Sequence, residues 1–159
     1  MTGVTYRRIA ATPEQLFAVL ADGWLYASWV PGASRMRDVE ASWPSDGAVL
    51  HHSFGLWPLV VNDTTTLEEW DPPRHARLRA RGWPVLGEAF VTIDVKRRGD
   101  GCVVRIAEDA IEGPATMVPE AVRSVGIHLR NVETLKRLAW LAEGGARPAL
   151  PAAESGAAR

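Results

Sequence analysis

The chain has 159 residues, one domain's worth of sequence and enough to bury a single core. Eighteen Lys and Arg against nineteen Asp and Glu leave a formal charge of -1, so no overall field draws the chain to nucleic acid or anionic lipid. The one cysteine, Cys102, excludes an internal disulfide and a multi-cysteine zinc site, and no run reads as a signal peptide or a membrane span, so a cytoplasmic protein without membrane insertion is expected.

Residues 4–9 (VTYRRI) read as a strand. Thr12, Pro13 and Gln15 then form a capping-box-like start for a short amphipathic helix to about Leu20. Asp22-Gly23 breaks it, a second helical turn holds Trp24, Leu25 and Trp29, and Pro31-Gly32 ends that turn. From residue 34 to about 111 apolar residues recur at every second position between Pro- and Gly-rich punctuation, which describes a meander of six strands. Residues 116–142 return to helical spacing, with Val118, Ala121, Val122, Val125, Leu129, Val132, Leu135 and Ala139 on one stripe expected to be buried. Residues 143–159, rich in Ala, Gly and Pro, are expected to be a flexible tail after a single domain of residues 1–142. One strand, two short helices, six antiparallel strands and a long helix make an α+β order, a curved seven-stranded sheet wrapped around the C-terminal helix.

The segment ATPEQLFAVLADGWLYASWVPG resembles the opening of the START / polyketide cyclase superfamily (SRPBCC, the helix-grip fold): a Pro-initiated helix, an Asp, then a Trp before a Pro-Gly turn. GWPVLGEAFVTI and AEDAIEGPATMVP are similar to a polyketide-cyclase-like branch of it, and the resemblance spans roughly residues 4–141. It implies an apolar cavity between sheet and long helix. Members include lipid carriers, hormone receptors, aromatase/cyclases and co-chaperone-like proteins, so the fold alone does not decide the function.

Strand register follows from the turns. With Trp57-Pro58 at the tip of an even-length hairpin, Phe54 faces Val61, His52 faces Asp63 and Leu50 faces Thr65. The later turns pair Leu67 with Leu78, Ala80 with Ala89, Leu78 with Val91, and Val91 with Glu108. One face is then apolar except for His52, Asp63, Thr65 and Glu108, and His128 joins them from the long helix. A satisfied polar pair inside a core and a set of ligand contacts are equally open readings of these residues. The candidate catalytic residues are His52, Asp63 and Glu108, and the candidate ligand-binding residues are Phe54, Trp57, Thr65, Leu78, Trp83, Val91, Met117 and His128. Trp57, Trp83 and Met117 fall at one rim of the sheet, which ranks as an entrance ahead of a plug or a dimer contact.

Other motifs are read as structural. His51 and His52 point to opposite faces and cannot chelate one ion, so no metal is expected, and no cofactor is implied. Arg77, Arg79 and Arg81 form a solvated row with Glu68 opposite Arg77. Arg130, Glu133 and Arg137 are placed on the outer side of the helix as ion pairs. Two classes of function stay open. One is binding of a small aromatic or polyketide-like molecule, with or without cyclase/dehydrase chemistry in which His52, held by Asp63, is the general acid/base. The other is a non-catalytic carrier of an apolar ligand or a partner-binding stress-response module, either as monomer or homodimer.

Overall fold

Alternating apolar and polar residues fold six successive segments into an antiparallel meander, and the N-terminal strand closes the sheet on the far side of the last. The computed structural model describes residues 3–82, 87–112, 117 and 119–145. The strands are β1 (Gly3–Ile9), β2 (Ala33–Val39), β3 (Val49–Leu56), β4 (Leu59–Asp71), β5 (His75–Gly82), β6 (Gly87–Arg98) and β7 (Gly101–Glu112), in the order β1-β7-β6-β5-β4-β3-β2. Helix α1 (Pro13–Ala21) opens with a reciprocal capping box. The Gln15 amide donates to Thr12 Oγ1 (3.2 Å) and the Thr12 amide to Gln15 Oε1 (2.8 Å), satisfying two backbone donors left over by the helix start. Asp22 caps the following 3-10 turn through the Trp24 amide (3.1 Å), and the four-residue α2 (Tyr26–Trp29) carries two aromatic rings inward. The long helix is α3 (Glu120–Glu143), beginning after Pro119 and hence later than the predicted residue 116.

The register matches the sequence reading through the four hairpins of β3 to β7: His52 faces Asp63, Leu50 faces Thr65, Leu78 faces Val91, and Val91 faces Glu108. At the first tip only Gly55 fits, because its φ is +105° and a Cβ there would lie 2.2 Å from the Leu59 carbonyl oxygen. One pairing differs. A bulge between Leu67 and Glu69 brings Glu69, not Glu68, opposite Arg77, and the two form an ion pair at 3.2 Å.

The core lies at one end of the space between sheet and helices. Ile9, Leu16, Val19, Leu50, Leu67, Ile93, Val104, Ile106, Leu135 and Leu138 are almost wholly buried there. The predicted buried stripe of α3 is corrected in its first half. Val122 and Leu129 are each 64% exposed, and Val125 and Val132 also face solvent, whereas Leu135 and Ala139 are buried as expected. Val118 lies outside the described residues, as do residues 146–159 of the expected tail; residues 143–145 are the end of α3 and the turn after it. The inward face instead runs through Ile127, Arg130, Asn131, Thr134, Leu138 and Ala142, a helical spacing whose first half is partly polar. Apolar periodicity selected the opposite side because that side holds more valine and leucine.

The two halves of α3 should therefore respond differently to truncation. Leu138→Ala is expected to cost roughly 2–5 kcal/mol in urea unfolding, and Leu129→Ala less than about 1 kcal/mol. Equal losses would return Leu129 to the core.

Candidate functional site

Where α3 carries Gly126, Asn131 and Thr134 in place of leucines, helix and sheet enclose a cavity of about 360 Å³, within the range of small-molecule sites. Its sheet wall is built from alternate strand positions, so Phe54, Leu78, Val91 and Ile106 share it. Ala80 and Ala89, directly paired on β5 and β6, keep the wall thin at its centre. Trp29 and Tyr26 close the side nearest α2.

Four polar side chains from the sheet and α2 meet at the β3–β4 end. The Tyr26 hydroxyl lies 2.8 Å from Thr65 Oγ1, and His52 Nε2 lies 3.0 Å from the same oxygen. The Tyr26 and His52 rings stack obliquely with centroids 4.9 Å apart. His52 Nδ1 is buried without a hydrogen-bond partner. Burial pushes the His52 pKa down to about 4, helped by the Arg37 guanidinium, while a backbone contact with Ser53 opposes the shift. Arg37 sits at the bulge of β2 and donates to the carbonyl oxygens of His52 (3.1 Å) and Asp63 (3.0 Å). Asp63 is 8% exposed and accepts the Thr64 amide at 2.8 Å. Burial pushes its pKa up to about 6, against the pull of Thr64, Arg81 and Arg37.

The structure thus brings His52 and Asp63 side by side without joining them. His52 spends Nε2 on its diagonal neighbour Thr65, so the expected holding of His52 by Asp63 is not formed. On the opposite wall Glu108, 5% exposed, is ion-paired through Oε1 with Arg130, while its Oε2 has no partner. Arg130 therefore belongs to the cavity, correcting its placement on the outer side; Glu133 and Arg137 do pair outside at 2.8 Å. Asn131, 1% exposed, also lines the cavity and leaves its Nδ2 unpartnered. Arg81 also reaches the cavity lining while pairing with Glu88 at 3.1 Å, so its row is not wholly solvated.

Of the predicted ligand contacts, Phe54, Leu78 and Val91 line the cavity. Thr65 lies fully buried behind His52 and Tyr26 rather than on the surface of the cavity. His128 lies outside the cavity lining and is bonded to Thr5 Oγ1 of β1 at 3.2 Å, because the helix turns by a different phase from the predicted stripe. Trp57 (88% exposed) stands in solvent outside the lining, since the β3–β4 tip projects beyond Phe54, and Met117 (86% exposed), before the start of α3, is outside it too. Trp83 lies outside the described residues. Sequence reasoning missed Tyr26, Arg130, Asn131 and Thr134. The signal for the three on α3 was the spacing 127, 130, 131, 134 and 138, one helical face in which polar residues interrupt the apolar ones. Cys102 is fully buried with its thiol pKa raised by burial, which suits packing and not attack. Among the described residues no group of three or more His, Cys, Asp or Glu is placed to hold a metal ion. No helix among them is long and apolar enough to cross a membrane.

A family model described as "Polyketide cyclase / dehydrase and lipid transport" matches residues 1–142. No curated protein matches the sequence. Solved structures share the helix-grip fold. The Chromobacterium violaceum protein CV1439 is similar at TM-score 0.65 and 21% identity, over 89% of this chain and 96% of that one. Ara h 8.0201 is similar at 0.69 and 14% identity, over 91% and 98%. The di-domain ARO/CYC StfQ from the steffimycin biosynthetic pathway is similar at 0.67 and 11% identity, over 91% of this chain and 51% of that one.

His52 and Asp63 give opposite pH signatures. His52 stays neutral in the fold down to about pH 4 but protonates near 6.5 when free, so it adds stability that is lost as pH falls through that window. Asp63 keeps its proton up to about pH 6 in the fold but ionises near 3.8 when free, so its contribution falls as pH rises. Relative to wild type, Asp63→Asn is expected to gain stability with rising pH between about 4 and 6, and His52→Gln to lose it, in urea titrations across that range. Slopes of the same sign would contradict the assignment.

Proposed function

Because this chain belongs to the polyketide cyclase/dehydrase and lipid transport family, we propose that it binds a small, largely apolar, aromatic or polyketide-like molecule between sheet and α3 and promotes its cyclisation. One observation carries this reading: among the described residues, the buried side-chain atoms without a partner are His52 Nδ1, Glu108 Oε2 and Asn131 Nδ2, and all three residues line the same cavity. An unpartnered buried polar group costs about 1–3 kcal/mol, and three residues that each carry one on the walls of a single cavity support a surface completed by a bound molecule.

The chemistry follows from the environment. Asp63, with a pKa near 6, exchanges a proton readily at neutral pH, as a general acid/base must. In a poly-ketone its carboxylate takes a proton from a carbon flanked by two carbonyls. That carbon attacks a second carbonyl of the same chain, a C–C bond forms, the new alkoxide takes a proton, and water leaves in the dehydration. His52, uncharged at that pH, orients a carbonyl at the same end, so proton transfer passes from the expected His52 to Asp63. The apolar wall of Trp29, Phe54, Leu78 and Val91 excludes competing water. A carrier without catalysis is the second reading, and it is favoured by the missing hydrogen bond between His52 and Asp63.

Native mass spectrometry with extraction of any co-purified molecule is expected to show one small apolar ligand per chain. With a 3,5-diketoacyl N-acetylcysteamine thioester as substrate, Asp63→Asn is expected to lower kcat by about 100-fold or more while KM changes little. A wild-type protein that retains a ligand but forms no cyclised product is the carrier.

A further inference from the structure

The polar atoms of the cavity are divided between two walls, and hydrogen-bond accounting gives each wall a sign. At the β3–β4 wall the Tyr26 hydroxyl, Thr65 Oγ1 and His52 Nε2 form a chain of two bonds. Tyr26 is buried, Thr65 is the partner of its hydroxyl among the described residues, and the arrangement in which Tyr26 donates to Thr65 leaves fewer groups of the chain unsatisfied than the reverse one. Thr65 then gives its own proton to His52 Nε2, which places the imidazole hydrogen on the unpartnered Nδ1. His52 is thereby a donor. At the β7–α3 wall Asn131 Nδ2 is a second free donor and Glu108 Oε2 a free acceptor. The cations of the lining are already committed, Arg130 to Glu108 and Arg81 to Glu88, while the Asp63 carboxyl adds negative charge when ionised.

We infer that the cavity selects an uncharged, elongated ligand with a hydrogen-bond acceptor such as a carbonyl at the His52 end and a hydroxyl at the Glu108–Asn131 end. The hydroxyl donates to Glu108 Oε2 and accepts from Asn131 Nδ2, and the carbonyl accepts from His52 Nδ1. A carboxylate finds no uncommitted cation among the described lining residues and meets the carboxylate oxygen of Glu108 instead. Asn131 becomes a specificity-determining residue in this account, and Tyr26 and Thr65 positioning residues that fix the His52 tautomer. The inference rests on the cavity being the ligand site.

Three naphthalene probes of similar size separate the terms in isothermal titration: 2-acetonaphthone, 6-acetyl-2-naphthol and 2-naphthoate. 6-Acetyl-2-naphthol is expected to bind at least tenfold more tightly than 2-acetonaphthone, and 2-naphthoate more weakly than both. Asn131→Leu is expected to remove most of the tenfold increment contributed by the hydroxyl while raising the melting temperature, since it deletes a buried amide whose Nδ2 has no partner. That opposed pair of changes is not what a structural asparagine produces. A hydroxyl worth less than twofold, or 2-naphthoate as the tightest of the three, overturns the inference in the wild-type protein alone, whatever the variant does. Binding of 2-acetonaphthone with no gain from the hydroxyl leaves the ligand site standing and removes only its selectivity; no binding by any probe removes both.

Discussion

The alternation of side chains across an antiparallel ladder is the constraint on which the rest of this molecule depends. On β3, β5 and β7 the even-numbered residues face inward, as do the odd-numbered ones on β6 and, up to the bulge after Leu67, on β4, beyond which Trp70 turns inward against Phe17. A slip of one residue in any strand would carry His52, Asp63 or Glu108 to solvent and put Arg77, Arg79 or Arg105 inside. The two-residue tip at Trp57-Pro58, with Gly55 beside it, fixes the phase of β3 against β4, and the later turns hand that phase on. The irregularities are placed where they do little harm to it. Two register shifts lie in the edge strand β2, one near the end of β4 and one at the start of β6, and the second of those in β2 turns Arg37 onto the carbonyls of His52 and Asp63.

Helix α3 meets this ladder in two ways. Its second half fills space with Leu135, Leu138, Ala139 and Ala142 and packs against α1. Its first half presents Gly126, Asn131 and Thr134, which leave a void, and Arg130, which bridges the void to Glu108. Removing one partner of such a pair strands the other charge, so the pair fixes how the helix stands over the sheet more than it adds net stability. The packed half anchors the helix, and the open half is free to keep polar atoms that a filled core would not tolerate.

What could be read in the sequence and what could not divide along physical lines. The register was legible because it needs only a turn position and a count of two, which put His52 opposite Asp63 and Val91 opposite Glu108. The bulge that replaces Glu68 by Glu69 was not, since an added residue leaves the apolar alternation of its neighbours looking unchanged. The phase of α3 failed for a sharper reason. A helix lining a cavity does not bury its most apolar side, so counting valines and leucines selected the stripe of Val122, Val125 and Leu129 over the face of Asn131 and Thr134. His128 was placed by that stripe and fell with it. The hydrogen bond between His52 Nε2 and Thr65 was illegible too, because register fixes which residues are neighbours but not whether a ring turns to Asp63 or to Thr65.

The outer face of the sheet carries a separate set of bonds. Asp94 holds both His75 and Arg105 at 2.7 Å, Glu88 holds Arg79 at 2.6 Å, and Arg77 lies over the Phe90 ring at 4.0 Å. Each is modest alone, but all of them join neighbouring strands, and none touches the inward atoms of His52, Asp63 or Glu108. Two alphabets are therefore written on one ribbon. Mutational drift at inward positions can respell the chemistry of the cavity while the outward spelling goes on aligning the strands, so a lineage built on this scaffold can change its ligand without first having to relearn its fold.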